Sequence, residues 1–348
     1  MSDAVTVTVG SRRIGSGEPV FIVAEIGASH GGKADQAERL IEAAARSGVD
    51  AVKLQTIDAE ESYVPGTPSY DIFKGLWLPV DNLRRLMRVA ADCGVILFTT
   101  PGDPGDLQVL LEIGMPLIKI SSGLMTNLPL VQRAAKTGRP LVISTGMSYF
   151  DEVALTVRVA EEAGCRQLVL MHCTSLYPSP APTLNLAAMQ MMARVFPYPV
   201  GYSDHYDGVA AGLAATASGA RILEKHFTLD RGGGGPDDHF AADPPQLSSL
   251  VRQVREVERM LGSPLKAPTT EELHGRAIYR RCLMARRTIQ QGEIVSEDAV
   301  GFKRPKDGAQ GLPPALWRHV IGLRAIRTIS RNEPIHFEHL APVGSNEP

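Results

Sequence analysis

Between residues 20 and 261 the chain alternates eight short apolar runs with eight amphipathic stretches, and this alternation restricts its fold more than any other feature. The runs are 20–26, 50–55, 95–99, 117–120, 140–144, 167–172, 199–203 and 221–226. The helical stretches are 34–47, 81–92, 104–113, 127–136, 150–163, 186–195, 208–218 and 245–261. Near-continuous apolar runs are strands buried on both faces, and strands joined by helix-length segments pair in parallel. Glycines close many of the helical stretches (Gly48, Gly94, Gly114, Gly138, Gly164 and Gly219), and Asp81 and Asp151 stand where helix-opening caps are expected. Eight such units over roughly 240 residues have the size of an α/β TIM (β/α)8 barrel. A doubly wound open sheet is the competing architecture. Against it, no Gly-x-Gly-x-x-Gly follows the first run, and polar residues end nearly every run instead of gathering at one switch point.

Outside this region the sequence changes character. Residues 1–19 read as a strand or hairpin around Val5-Thr6-Val7-Thr8-Val9, suited to plug the bottom of a barrel spanning 20–262. Residues 263–276 hold Pro264 and Pro268 among polar residues and read as a linker. Residues 277–342 mix short β-like pieces with turns, and the string Arg287-Thr288-Ile289-Gln290-Gln291-Gly292-Glu293 is echoed by Arg327-Thr328-Ile329-Ser330-Arg331-Asn332-Glu333. This is the pattern of a small β-rich domain with internal pseudo-symmetry. Residues 343–348 form a tail, expected to fray from Gly344 to Pro348.

A net charge of -2 with 44% hydrophobic and 21% charged residues is ordinary for a soluble globular protein and carries no whole-chain signature of nucleic-acid or membrane binding. The charge is uneven: residues 275–348 carry 12 Lys/Arg against 7 Asp/Glu, and residues 1–274 carry 24 against 31. A basic module over an anionic substrate and a solvated basic face both fit this asymmetry. The 4 cysteines lack paired spacing, the N-terminus lacks a basic-then-apolar pattern, and no apolar run reaches membrane-spanning length. A cytoplasmic protein with reduced thiols is the expectation.

A barrel gathers its chemistry at the C-terminal ends of its strands. Read in order, those ends supply Glu25, then Lys53 and Gln55, Thr99 and Thr100, Lys119 with Ser121 and Ser122, Ser144 and Thr145, His172 and Ser175, Ser203 and His205, and finally Lys225 and His226. The chain has only 9 lysines against 27 arginines, so three strand-end lysines stand out. Convergent polar groups at a barrel mouth mark an active site. Lysines supply point charge and hydroxyls supply directed donors, a set suited to phosphate and carboxylate. Structural readings stay open beside these: Lys53 as a snorkelling surface lysine, Lys119 in an interior ion pair, and Glu25 as a charge partner rather than a general acid or base. Imine chemistry at a strand-end lysine also stays open. His205 and His226 end adjacent strands and are placed either to share one divalent metal or as plain core or surface histidines. His30, within Gly27 to Gly32, either closes over a substrate or decorates a turn. Asp237, after Gly232 to Gly235, either bonds substrate hydroxyls or belongs to a flexible loop.

Several ordered strings together resemble the sialic acid synthase family. They are Ala24-Glu25-Ile26-Gly27, Val52-Lys53-Leu54-Gln55-Thr56, Thr100-Pro101, Ile118-Lys119-Ile120-Ser121-Ser122-Gly123, Ile143-Ser144-Thr145-Gly146-Met147, Cys173-Thr174-Ser175-Leu176-Tyr177-Pro178, Tyr202-Ser203-Asp204-His205 and Glu224-Lys225-His226-Phe227-Thr228. The resemblance covers nearly the whole chain, and residues 277–342, with Phe302-Lys303-Arg304-Pro305, resemble the family's antifreeze-like SAF domain. It implies an enzyme that condenses phosphoenolpyruvate (PEP) with the open-chain aldehyde of N-acetylmannosamine or a related amino sugar, releasing phosphate and a nine-carbon 2-keto-3-deoxy acid. It implies a divalent metal on His205 and His226, manganese in the first instance, with magnesium or cobalt as alternatives. It implies PEP binding by Lys53, Thr100, Lys119, Ser122, Ser144 and Ser203, sugar contacts from Gln55, Tyr177, Asp237 and Arg304, and a Glu25 that orients or deprotonates the attacking water. It further implies a domain-swapped homodimer in which each SAF domain caps the other chain's barrel.

Departures from the family pattern fall on the acceptor side. Leu124 stands where a carboxylate is usual, Ser29 where an asparagine is usual, and Thr67, in a short 63–69 segment, where an asparagine meets the acceptor. The expectation is a PEP-condensing synthase whose acceptor differs from N-acetylmannosamine. Another PEP–aldose synthase, of the 3-deoxy-octulosonate 8-phosphate type, requires arginines that the strand ends do not supply. A non-catalytic sugar-binding protein has no need of Glu25 or of the histidine pair.

Overall fold

The computed structural model describes residues 5–306 and 309–344. It falls into two compact units, Met1–Gly262 and Ser263–Pro348. Residues 345–348 of the expected tail, and the first four residues, lie outside the described part.

The first unit opens with an antiparallel hairpin, β1 (Val7–Val9) and β2 (Arg12–Ile14). Eight parallel strands follow: β3 (Phe21–Gly27), β4 (Ala51–Thr56), β5 (Ile96–Pro101), β6 (Ile118–Ile120), β7 (Leu141–Ser144), β8 (Leu168–Cys173), β9 (Val200–Asp204) and β10 (Ile222–His226). Each pairs with the next and β10 pairs back onto β3, so the sheet is a closed barrel. The hairpin packs at the N-terminal end of the barrel, as its sequence suggested. Val7, Val9 and Ile14 are fully buried there, and the Thr8 N–H donates to Gln167 Oε1, just ahead of β8, at 3.2 Å.

The helices are α1 (Ala34–Arg46), α2 (Ala59–Ser62), α3 (Pro68–Phe73), α4 (Val80–Asp92), α5 (Pro104–Glu112), α6 (Leu128–Lys136), α7 (Phe150–Glu162), α8 (Ala187–Val195), α9 (Ala210–Ala217) and α10 (Pro244–Leu261). Each longer helix turns one apolar stripe to the barrel, as α1 does with Ala37, Leu40, Ile41 and Ala44. Glycines such as Gly48 (φ 86°) and Gly164 (φ 97°) take the left-handed conformation that stops the helix. The expected caps at Asp81 and Asp151 are corrected. Pro79 precedes α4, and Tyr149 precedes α7 with its N–H donated to Glu152, so both aspartates lie inside the first turn, where they still favour the helix dipole. The short helices α2 and α3 carry little apolar periodicity and were not anticipated.

In the second unit α11 (Thr270–Tyr279) occupies the second half of the segment read as a linker, 263–276, which is thereby corrected. Pro268 precedes a capping box here: Thr269 Oγ1 accepts from the Glu272 N–H and the Glu272 carboxylate accepts from the Thr269 N–H. The β-rich part follows: β11 (Cys282–Ala285), β12 (Val300–Lys303), α12 (Trp317–Val320), β13 (Arg324–Ala325) and β14 (Leu340–Ala341). Its pseudo-symmetry is physical. Ile289 and Ile329 exchange both backbone hydrogen bonds at 2.9 Å, and Arg287–Glu293 (2.6 Å) is repeated by Arg327–Glu333 (2.5 Å).

Candidate active site

Strand side chains alternate between the barrel interior and the helix layer, so only every second strand-end residue faces the mouth. On β10 the inward positions are Glu224 and His226, and on β9 the inward position is Ser203. Lys225 and Asp204 therefore meet on the outer face at 3.1 Å, with the lysine also bonded to the Tyr206 carbonyl. His172 likewise lies outside, its Nε2 on the Leu184 carbonyl (2.7 Å) and its ring stacked on Tyr202. Thr99 and Thr145 bond to Thr56 and to the Met171 carbonyl. These strand-end residues were counted toward the mouth and are reassigned to the wall. Period-two alternation shows which residues share a face but leaves open which face is inside.

The inward set converges on one cavity of about 440 Å³, lined by Lys53, Gln55, Thr100, Lys119, Ser122, Ser144, Tyr177, Ser203, His205, His226 and Asp237, with Glu224 among them. Glu25 lies directly beneath: its Oε1 accepts from Gln55 Nε2 (3.1 Å) and its Oε2 is 2.5 Å from Lys53 Nζ. A β-bulge between Glu25 and Gly27 aims this carboxylate. A Cβ on Gly27 would come within 3.1 Å of both Glu25 Oε1 and Asp237 Oδ2, so the glycine makes room for the site.

Glu224 is the functional-site residue that sequence reasoning passed over. Both of its oxygens accept from Lys119 Nζ (2.9 and 3.1 Å), and Lys53 Nζ lies 3.6 Å away. Burial opposes its ionisation, but Lys119 and Lys53 outweigh burial and hold its pKa near 2. Lys119 is pulled below the ordinary lysine value, first by burial and then by the like charge of Lys53, against the pull of Glu224. Glu25 is raised, chiefly by burial and further by Glu224, with Lys53 opposing. Two ammonium groups and two carboxylates thus share the floor. Of the structural readings, the ion pair fits Lys119, whereas Lys53 is no snorkelling surface lysine, being 3% exposed. The available signal was alternation: once His226 faces inward, Glu224 must as well.

His205 and His226 stand with ring centroids 5.1 Å apart. His205 Nδ1 is 2.8 Å from the Thr174 carbonyl and His226 Nδ1 is 3.4 Å from Asp237 Oδ2. Each Nδ1 is engaged, leaving each Nε2 as the remaining lone-pair donor, the arrangement metal-ligating histidines use. Burial and then His226 push His205 down to about 3, so it is a neutral donor at neutral pH. Burial opposes ionisation of both His226 and Asp237, yet their mutual attraction prevails, raising the histidine and lowering the aspartate. His30 takes the structural role: it is buried and its Nδ1 accepts from the Gly32 N–H (3.1 Å).

Two lysines, a ring of serine and threonine hydroxyls and a histidine pair share one barrel mouth, a set of charges and donors chemically suited to an anionic ligand. Residues 40–266 match the NeuB family, and residues 280–341 match the SAF domain. The chain belongs to the NeuB family. It is a sialic acid synthase-like transferase. It is 40% identical over 304 residues to an uncharacterized protein of Methanocaldococcus jannaschii, covering 87% of this chain and 90% of that one. It is 34% identical over 349 residues to the N,N'-diacetyllegionaminic acid synthase of Legionella pneumophila, covering 95% and 97%. Among solved structures, the N-acetylneuraminic acid synthetase of Leptospira borgpetersenii in complex with citrate matches with a TM-score of 0.75 at 33% identity, over 78% of this chain and 96% of that one.

The residues that set this NeuB protein apart at sequence level do not all reach the cavity. Leu124 is half-buried against the barrel core and is not part of the lining. Ser29 Oγ donates to Asp238 (3.0 Å), and Thr67 Oγ1 caps α3 by accepting from the Tyr70 N–H (3.3 Å). One wall of the cavity is formed instead by Ile57, Tyr63, Ser69, Ile72 and Phe73 from the β4–α4 connection, with Tyr63 and Phe73 stacked at 5.3 Å. Arg304 belongs to the second unit, where its guanidinium lies 5.4 Å from the centroid of the Tyr279 ring.

Proposed function

We propose that this enzyme joins PEP to the open-chain aldehyde of an amino sugar, N-acetylmannosamine or a close relative, forming a sialic acid-like 2-keto-3-deoxy acid and inorganic phosphate. The observation that carries this reading is a pair of orphaned hydroxyls. Thr100 Oγ1 and Ser144 Oγ are buried beside Lys53 and Lys119 and have no hydrogen-bond partner among the described residues. Buried polar atoms are ordinarily paired, so these donors call for ligand oxygens. Phosphate and carboxylate oxygens of PEP, gripped by Lys53, Lys119, Ser122 and Ser203 as well, satisfy both the charge and the hydroxyls.

In the reaction the methylene carbon of PEP attacks the aldehyde carbon, and positive charge develops at the enol carbon. Glu25, raised by burial and fixed by Gln55, accepts a proton from the water that adds to that carbon. The resulting tetrahedral adduct breaks its carbon–oxygen bond and phosphate leaves. Gln55, Tyr177 and Asp237 orient the sugar. His205 and His226, with their engaged Nδ1 atoms, fit a divalent ion, manganese before magnesium or cobalt, which when bound supplies Lewis-acid polarisation of the aldehyde. No helix among the described residues is long and apolar enough to cross a membrane. A cytoplasmic, domain-swapped homodimer, in which Arg304 of each SAF unit contributes to the sugar site of the other chain, completes the proposal.

The acceptor is expected to be a relative of N-acetylmannosamine rather than that sugar itself, because the acceptor-side wall is largely apolar. Among the described residues no arginine lines the cavity, which favours an unphosphorylated acceptor. A panel of aldehyde sugars with PEP and Mn²⁺, read by phosphate release, tests this. Absence of release with every sugar overturns the synthase reading. Turnover of N-acetylmannosamine far above all others overturns only the altered acceptor.

A further inference from the structure

The β4–α4 connection is an unusual piece of this barrel. It supplies Tyr63, Ser69, Ile72 and Phe73 to the cavity, yet α2 and α3 within it are only four and six residues long. Helices this short do not hold themselves in place. Something outside the connection must fix it, and the side chain that does so is Asp106, on the first turn of α5 and remote from the reacting groups.

The Asp106 carboxylate is buried. Its Oδ2 accepts from the Asp58 N–H and from the Gly102 N–H, both at 3.1 Å, and its Oδ1 accepts from Trp77 Nε1 at 3.4 Å. Asp58 opens the connection, Trp77 closes it, and Gly102 directly follows β5. One carboxylate thus ties both ends of a twenty-residue span to the rigid barrel. The node is tightly built: a Cβ on Gly102 would meet Ser62 Oγ at 2.5 Å, Ile57 Cγ2 at 2.9 Å and Asp106 Oδ2 at 3.1 Å. Asp106 is itself held by Asp103, whose Oδ1 accepts the Asp106 N–H at 3.0 Å. The PEP side does not depend on this node, because Lys53 on β4 and Thr100 on β5 are held by the strand ladder, in which Lys53 pairs with Phe98 and Thr100 with Gln55.

We infer that Asp106 is a positioning residue for the sugar acceptor: it clasps the 58–77 connection so that Tyr63, Ile72 and Phe73 form a fixed wall against the acceptor's substituent. This rests on the synthase reading above for the word acceptor, but the clasp itself does not.

The test is a graded series, Trp77→Phe, Asp106→Asn and Asp106→Ala, assayed by phosphate release while either sugar or PEP is varied. Trp77→Phe removes only the weakest bond, and Asp106→Asn retains an oxygen for the two backbone donors, so both should raise the sugar KM by no more than about threefold. Asp106→Ala releases both ends and should raise it tenfold or more, with the PEP KM and kcat within about twofold of wild type. An equal rise for both substrates, a loss confined to kcat, or an Asp106→Ala enzyme with an unchanged sugar KM each overturns the proposal. Hydrogen exchange on the same proteins keeps it testable without turnover. Faster exchange across 58–77 in Asp106→Ala, with barrel strands unchanged, supports the clasp, and uniform exchange overturns it. If Asp106→Ala does not fold, Gly102→Ala perturbs the same node and must reproduce the KM split. A wild-type enzyme that is inactive with every sugar defeats the synthase reading alone and leaves the exchange result to decide the clasp.

Discussion

Glu224→Gln is the perturbation that most directly tests the electrostatics of the floor. The substitution keeps shape and the oxygen facing Ser203 Oγ, and removes one of two carboxylates that serve two buried ammonium groups. Breaking a buried ion pair from one side costs about 3–5 kcal/mol. An upper bound follows independently: Lys119 can escape by losing its proton, which at pH 7 costs an ordinary lysine about 4.6 kcal/mol and costs Lys119 less, since burial has already lowered its pKa. The expected loss for the ligand-free protein is about 3 kcal/mol, or roughly 1 M in urea midpoint for a barrel of this size. The proposed PEP site adds a second arm. Anionic PEP beside Lys53 and Lys119 replaces the missing charge, so saturating PEP should stabilise the variant by at least about 1 kcal/mol more than it stabilises wild type. An unchanged midpoint would refute the reasoning about charge compensation. A destabilised variant with the same PEP gain as wild type would refute the placement of PEP on these lysines.

Further outcomes are expected. His205→Ala and His226→Ala should each abolish turnover and the thermal stabilisation produced by Mn²⁺ while leaving stabilisation by PEP in place, as a melting series with and without chelator will report. His30 is neutral in the fold, its pKa lowered by burial from 6.5 to about 4. The unfolded chain therefore takes up a proton first, and about 3 kcal/mol of stability should drain away as pH falls from about 6.5 to about 4. His30→Gln should remove that dependence in urea titrations across the range, and parallel profiles would disprove it. Gly201→Ala should prevent the barrel from closing, because its Cβ would fall on the Ile222 carbonyl of the neighbouring strand; soluble, cooperatively melting protein would contradict this. Arg304→Ala should raise the KM for the sugar more than that for PEP, and an equal effect on both would argue against a sugar-side role.

The barrel was legible from sequence because its strands are buried on both faces and its helices on one. Val/Ile/Leu runs and helix-stopping glycines therefore mark every unit to within a residue or two. The strand-end residues were legible for the same reason, since polarity inside an apolar run has to be explained. Orientation was not legible. His172 and Lys225 end their runs just as Lys53 does, yet they point into the helix layer, while Glu224 points into the mouth. Only pairing between neighbouring strands sets that phase. The segment around α2 and α3 escaped because short helices clasped by a distant aspartate carry no periodicity of their own. What the sequence determined alone is the architecture and the kinds of groups at its mouth, because burial periodicity is a local property of the chain. What only the tertiary structure decided is which of those groups meet. Closure of β10 onto β3 brings Glu224 to Lys53 and to the side of Glu25, and Asp106 reaches both ends of the 58–77 connection, contacts between residues far apart in the chain that no local pattern encodes.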